Sequence, residues 1–128
     1  MILDTSAVIA VVLKQPGFEQ LLKKLATADT GGIGAPTLAE IAIVLRARLG
    51  TDPRGILGRF LQEFRIATVP FGDDHWREAV EAYGRFGKGI HPASLNFGDC
   101  MSYAVAKLAQ QPLLCTGEDF SRTDLDLA

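Results

Sequence analysis

The stretch that decides the fold is Met1-Ile2-Leu3-Asp4-Thr5-Ser6-Ala7-Val8-Ile9-Ala10-Val11-Val12-Leu13. Its first three residues are a short apolar run, too short to assign alone. Residues 4–6 are three possible N-caps, and residues 7–13 then form an apolar helix candidate. An apolar run that leads at once into a capped helix is the start expected of a βαβ unit.

The rest of the chain continues the alternation of strands and helices, without a linker or repeat. The predicted elements are a helix from Phe18 that ends before Gly31, a weak strand at 32–35, a helix from Pro36-Thr37 to Gly50, a helix after Asp52-Pro53, a strand at 66–71, a helix around 76–83, a helix at 97–108 and a buried strand at 112–115. Alternation of this kind predicts an α/β fold with a central parallel sheet flanked by helices. In such sheets ligands bind beyond the carboxyl ends of the strands.

Length and composition limit the class of protein. The 128 residues form one predicted domain, 1–128, and 48% hydrophobic with 22% charged residues is typical of a globular chain. No apolar run is long enough for a membrane span, and the start has no basic region typical of a signal peptide. Cys100 and Cys115 have no partners at zinc spacing, which favours a reducing cytoplasm. The net charge of −2 excludes nucleic-acid binding by bulk charge alone.

Four acidic residues occupy positions where this fold places a site. Asp4 and Asp119 follow the first and last strands, and Glu40 and Asp99 lie in first turns of predicted helices. Those helices would begin on the same rim of the sheet. Carboxylates gathered there repel one another unless a divalent cation joins them, and oxygen ligands suit Mg²⁺ or Mn²⁺. Such a site can polarise a phosphoryl oxygen.

Each acid also has a purely local explanation. Asp4 can cap the first helix. Residues 37–40, Thr-Leu-Ala-Glu, match a capping box. Asp99 can interact with the helix dipole after Asn96 as N-cap. The turn at 116–120 attracts Asp for local hydrogen bonds.

In the two helices that carry Glu40 and Asp99, helical spacing predicts a second face besides the one that forms the core. Glu40 heads a second apolar face with Ile43 and Val44, which suggests a dimer surface. In the helix of Asp99, the core stripe is predicted at positions 101, 104, 105 and 108, whereas Ser102, Tyr103 and Ala106 lie on the side of the acid.

Several motifs are missing. The chain has no glycine-rich phosphate loop, no dinucleotide fingerprint and no serine-hydrolase elbow around Ser6. His91 lacks a partner histidine for a metal site. A metal-dependent phosphatase of the haloacid-dehalogenase type also starts with Asp after a strand, but its second Asp would stand where this chain has Ser6.

Four segments together carry a resemblance. They are residues 1–10 (MILDTSAVIA), residues 37–40 (TLAE), residues 91–106 with His-Pro-Ala and Asn-Phe-Gly-Asp-Cys, and residues 112–124 with Thr-Gly-Glu-Asp-Phe. In this order they resemble PIN-domain proteins, specifically the VapC toxins of bacterial toxin–antitoxin pairs. The resemblance spans the chain.

The resemblance implies a PIN-like α/β/α sandwich and an endoribonuclease that depends on Mg²⁺ or Mn²⁺. It assigns Asp4, Glu40, Asp99 and Asp119 to the catalytic acids, with Asp4 and Asp99 as metal ligands. Asp119 would complete the metal shell directly or through water, and its neighbour Glu118 leaves open which acid faces the site. Glu40 would hold a water on the metal or act as base. Hydrogen bonds to the acids would come from the following residues: Thr5, Ser6, Asn96 and Thr116.

The resemblance also implies partners: an RNA substrate, a cognate antitoxin whose basic segment enters the acidic cleft, and a second copy in a homodimer. Weak candidates for RNA contacts are Arg46, Arg48, Arg54 and Arg59. Two alternatives stay open at this point. One is a protein that keeps the fold as a catalytically weak binding or regulatory module, and the other is the metal-dependent phosphatase.

Overall fold

The computed structural model describes residues 1–128 and consists of a parallel sheet with helices on both faces. In chain order the elements are β1 (Ile2–Leu3), α1 (Thr5–Val12), α2 (Phe18–Thr27), β2 (Gly31–Gly34), α3 (Ala35–Leu49), α4 (Arg54–Glu63), β3 (Ile66–Val69), α5 (Asp73–Phe86), α6 (Phe97–Ala109), β4 (Leu113–Leu114) and a short 3-10 helix (Phe120–Arg122). The sheet order is β3-β2-β1-β4 and every pairing is parallel. The predicted α/β class with a flanked parallel sheet is therefore confirmed.

The two shortest strands, β1 and β4, divide the core into two halves. Side chains alternate across a strand, so Ile2 and Leu113 face one side of the sheet, and Leu3 and Leu114 face the other. All four are at most 4% exposed. Two residues are thus enough for each strand to contribute to the core on both faces of the sheet. The two strands pair in register, Ile2 with Leu113 and Leu3 with Leu114.

Helix α3 begins earlier than the sequence predicts, and this corrects one interpretation. β2 leads directly into α3, with Gly34 at the N-cap and Pro36 in the first turn. Thr37 therefore lies inside the helix and is buried, and it caps nothing. The predicted capping box of Thr37 with Glu40 is wrong, because a box needs its threonine at the cap and not a turn later.

Helix α6 is buried around most of its circumference, which corrects the predicted core stripe. Tyr103 and Ala106, predicted on the side of the acid, are almost completely buried, whereas Leu108 is 42% exposed. The reason is that α6 contacts α5, α3 and the sheet at once. Its approach to β2 is close: a Cβ on Gly34 would lie 2.7 Å from Cγ2 of Val105.

The order of the strands determines where the rim opens. From β1 the chain proceeds to β2 and β3 on one side, and β4 pairs with β1 on the other side. The direction of winding therefore changes beside β1, and ligands of α/β sheets bind at such a switch point. Asp4 follows β1 directly, and its N–H donates to the carbonyl of Leu114 in β4 at 2.9 Å. Separately, none of the helices has the length and apolar character needed to cross a membrane.

Candidate active site

A cavity of about 310 Å³ opens at this rim, beyond the carboxyl end of β1. Three of the four predicted acids line it, and no Lys, Arg or His does. The lining residues are Asp4, Thr5, Ser6, Ile9, Gln15, Glu40, Val44, Asn96, Asp99 and Thr116. The cavity therefore concentrates negative charge that nothing on its walls neutralises.

Asp4 is the most deeply buried of the three acids, at 4% exposed. Its Oδ2 accepts hydrogen bonds from Ser6, from the N–H at 3.1 Å and from the hydroxyl at 2.6 Å. Its Oδ1 accepts from the hydroxyl of Ser102 at 2.6 Å. The first of these bonds makes Asp4 the N-cap of α1. Asp4 therefore caps α1 and lines the cavity at the same time.

Glu40 enters the cavity from α3 and is fixed by a contact with α1. The hydroxyl of Thr5 donates a hydrogen bond to Oε1 of Glu40. Oε2 lies against Gly98, where an added Cβ would overlap it. Gly98 thus leaves room for the carboxylate, because any larger residue would fill the space that Oε2 occupies.

Asp99 is paired with the N-cap of its own helix. Its N–H donates to Oδ1 of Asn96 at 2.9 Å, and its Oδ2 accepts from the N–H of Asn96 at 3.0 Å. Burial is the main reason why the pKa of Asp99 is raised from 3.8 to about 6. The hydrogen bond from Asn96 opposes this increase in pKa, and the neighbouring carboxylates add to it.

Asp119, the fourth predicted acid, is exposed and does not line the cavity. It stands at the start of the 3-10 helix, and its charge contributes to the raised pKa of Asp99. Glu118 is also exposed, and its carbonyl accepts from the hydroxyl of Ser121. Thr116 reaches the cavity through its N–H, which donates to the hydroxyl of Ser6 at 3.0 Å.

The donor set of the cavity fits a hard divalent cation. All its charged groups are carboxylates, and Oε2 of Glu40, which occupies the gap at Gly98, accepts no hydrogen bond from the protein. Mg²⁺ binds through one or two carboxylates and retains several waters, and the cavity offers carboxylates from Asp4, Glu40 and Asp99. No three Asp, Glu, His or Cys side chains are placed so that together they could hold a metal ion, so a cation in the cavity would rely on fewer side chains and on water.

Other sequence candidates lie outside the cavity. None of the four arginines lines it; Arg54 is bound by Asp52 at 2.6 Å. His91 accepts from the N–H of Ala93 through Nδ1. Burial raises the pKa of the Cys100 and Cys115 thiols to about 11, so neither is a thiolate at neutral pH.

Sequence reasoning missed the roles of Gly98 and Ser102. Gly98 had a signal, a glycine directly before an acid in a predicted first turn. Ser102 lies three residues after Asp99, and helical spacing placed it on the side of that acid but not against Asp4. Its contact with Asp4 spans 98 positions and needs the packing of α6 against β1.

Comparison with known proteins identifies the family. The PIN domain model matches residues 1–125. A VapC ribonuclease of Mycobacterium bovis is 46% identical over 127 residues, which cover 98% of this chain and 91% of the relative. A ribonuclease VapC of Mycolicibacterium smegmatis is 39% identical over 125 residues, covering 98% and 97%.

Solved structures share the fold at low sequence identity. The crystal structure of Mycobacterium tuberculosis VapC20, described as a sarcin-ricin loop cleaving toxin, gives a TM-score of 0.80 at 18% identity and covers 99% of this chain and 97% of that one. The crystal structure of VapBC2 from Rickettsia felis, bound to a DNA fragment from their promoter, gives a TM-score of 0.77 at 20% sequence identity. The match covers 99% of this chain and 96% of that one. The chain is thus a PIN domain. Within that family, it belongs with the VapC proteins.

We predict that Asp99→Asn stabilises the metal-free fold at neutral pH. Because the pKa of Asp99 rises from 3.8 to about 6 on folding, ionisation opposes folding as the pH rises through this range. Asn removes that charge and can still accept from the N–H of Asn96. In EDTA at pH 7.5 the melting temperature should rise by roughly 2–6 °C, and the gain should vanish below pH 4.

Melting curves of the parent and the variant between pH 3.5 and 8 measure this effect. Asp74→Asn, at an exposed position of α5, is the control and should show no such pH dependence. A gain of equal size at every pH would contradict the electrostatic cause.

Proposed function

We propose that this protein is an endoribonuclease that depends on Mg²⁺ or Mn²⁺ and acts as the toxin of a toxin–antitoxin pair. The observation that carries the proposal is the cavity in which Asp4, Glu40 and Asp99 converge without any basic residue. The names of the relatives, VapC ribonucleases at up to 46% identity, support RNA as the substrate.

The absence of Lys, Arg and His from the cavity lining favours a metal-dependent reaction. A phosphodiester is an anion, and three carboxylates would repel it unless a cation were bound between them. Asp4 and Asp99 would hold this ion, and Asp119 would approach from the neighbouring turn. When bound, the ion supplies Lewis-acid polarisation of a phosphoryl oxygen and lowers the pKa of water.

The side chains around the cavity supply a proton acceptor and orient the carboxylates. Thr5 holds one oxygen of Glu40, and the other oxygen, at the gap left by Gly98, is available to accept a proton from the attacking water. The N–H of Asn96 donates to the Asp99 carboxylate and orients it, and the Asn96 side chain accepts from the N–H of Asp99. Ser6 orients Asp4, and the N–H of Thr116 in turn orients the Ser6 hydroxyl.

The phosphatase alternative is disfavoured by the role of Ser6. An acid at this position would face Oδ2 of Asp4, where Ser6 now donates two hydrogen bonds. A binding module without catalysis is disfavoured by the relatives, which are named ribonucleases at up to 46% identity over nearly the whole chain. The ribonuclease is therefore the function that the geometry supports best.

We further propose two protein partners. A cognate antitoxin would place Arg or Lys among the cavity carboxylates, where bidentate contacts can replace the charge of the metal.

In the cytoplasm, which we infer as the compartment, the two free cysteines would remain reduced.

The second partner is another copy of the chain. An apolar groove of about 400 Å³ lies between α5 and α6, and all its lining residues are apolar: Trp76, Ala79, Val80, Tyr83, Phe97, Cys100 and Met101. Val80 is 64% and Phe97 78% exposed. A contiguous apolar surface of this kind is typical of a protein interface, and we propose that it forms the homodimer.

The test of the function is cleavage of a mixed RNA pool by the purified protein. We expect cleavage with Mg²⁺ or Mn²⁺ and none in EDTA. Glu40→Gln and Asp99→Asn should each lower the rate by about 100-fold or more, with melting temperatures no lower than that of the parent by more than a few degrees. Sequencing of the new RNA ends would define the cleaved bond.

Glu81→Gln is the matched control, because Glu81 is exposed on α5 and does not line the cavity. It should cleave like the parent. Full activity of Glu40→Gln at saturating Mg²⁺, or parent activity in EDTA, would refute the proposed chemistry.

Gly98→Ala should separate stability from activity. Alanine favours the helix by up to about 1 kcal/mol, and its Cβ meets only the end of the flexible Glu40 side chain. We expect an equal or higher melting temperature and cleavage at least about tenfold slower. Gly55→Ala in α4, where an added Cβ has open space, should keep full activity. Unchanged cleavage by Gly98→Ala would contradict the role of the gap.

The proposed dimer surface can be tested against the one that the sequence suggests. Val80→Glu places a charge in the apolar groove and should convert a dimer to a monomer in sedimentation equilibrium. Ile43→Glu alters the second face of α3, at a position 71% exposed, and should leave the dimer intact. A monomeric parent, or dissociation by Ile43→Glu alone, would refute the groove.

A further inference from the structure

Two buried hydroxyl groups form a chain that ends on Asp4, and neither residue lines the cavity. The hydroxyl of Ser102 is 2.6 Å from Oδ1 of Asp4, and the hydroxyl of Thr37 is 3.3 Å from that of Ser102. The two residues are only 1% and 2% exposed. The reaction described above uses neither of them.

The hydrogen bonds of this pair can run in one direction only. An ionised Asp4 can only accept, so Ser102 gives its single hydroxyl proton to the carboxylate. The oxygen of Ser102 then has only lone pairs left, and Thr37 must be its donor. The result is a relay from Thr37 through Ser102 to Asp4. In such a chain each bond polarises the next.

The relay determines which part of Asp4 is left for a ligand. A carboxylate offers about four acceptor positions. Ser6 fills two of them on Oδ2, and Ser102 fills one on Oδ1. One position on Oδ1 remains. The terminal torsion of Asp is intrinsically broad. The Ser6 bonds hold Oδ2, and the Ser102 bond is the contact that holds Oδ1 and directs its last lone pair.

The relay also aligns the helices that carry the other two acids. Thr37 precedes Glu40 by three residues in α3, and Ser102 follows Asp99 by three in α6. Residues three apart are neighbours on one side of a helix. The bond between the two hydroxyls therefore joins α3 to α6 one turn away from Glu40 and Asp99.

We propose that Ser102 and Thr37 are positioning residues, whose hydroxyl relay holds the Asp4 carboxylate with one oxygen lone pair available to a divalent cation. This inference rests on the proposed function of the cavity. A merely structural role would lower stability when the hydroxyls are removed but would leave the affinity for the cation unchanged.

The test measures the dissociation constant of Mn²⁺ by calorimetry on the full chain. Ser102→Ala should weaken Mn²⁺ binding about tenfold or more. Thr37→Val, which keeps the shape but loses the donor, should weaken it less. Thr37→Ser keeps a hydroxyl at this position, so its affinity for Mn²⁺ should be close to that of the parent.

Val105→Ala is the control for general destabilisation, because Val105 is buried in α6 but forms no bond to Asp4. Its melting temperature should fall while its affinity for Mn²⁺ stays the same. The relay is refuted if Ser102→Ala binds Mn²⁺ like the parent, or if Val105→Ala weakens binding as much.

Crystal structures of the metal-free parent and of Ser102→Ala give a reading that does not need the metal. We expect the carboxylate of Asp4 to rotate in the variant, and an unmoved carboxylate would refute the relay. A parent that binds no Mn²⁺ would contradict the proposed function, and the orientation of Asp4 in the two structures would still decide the relay.

Discussion

The burial of one carboxylate is the constraint on which the rest of the site depends. Asp4 is 4% exposed at the end of β1. A buried charge is tolerated only when hydrogen bonds replace the water it has lost. Ser6 in α1 and Ser102 in α6 supply them. Because these donors come from helices far apart in the chain, a stable Asp4 requires that both helices meet at the end of the same strand.

The same geometry gathers charge that works against the fold. Burial and the nearby carboxylates raise the pKa of Asp99 to about 6, so its ionisation at neutral pH opposes folding. A cluster with this property is retained in proteins when it serves a function, since an uncharged replacement would be more stable. The unfavourable electrostatics and the proposed binding of a cation thus have one physical origin.

Capping and site geometry are compatible in this fold. The helices that follow strands of a parallel sheet begin at the rim where the ligand binds, so a residue that caps such a helix also faces the cavity. Asp4 caps α1, and Asp99 bonds to the cap of α6, yet both line the cavity. Glu40 differs, because α3 starts at Ala35 and puts it in the second turn, where its partner is Thr5 in another helix.

The sequence by itself determined the alternating elements, the parallel sheet and the acids near its rim. These depend on hydrophobic periodicity and on chain order, both of which are local or nearly so. Only the tertiary structure decided that Ser102 contacts Asp4, that Gly98 leaves room for Glu40 and that Asp119 lies outside the cavity. Each of these depends on how closely α6 and the last turn approach β1 and α3. Such distances result from the packing of side chains over the whole core, and no local spacing in the sequence encodes them.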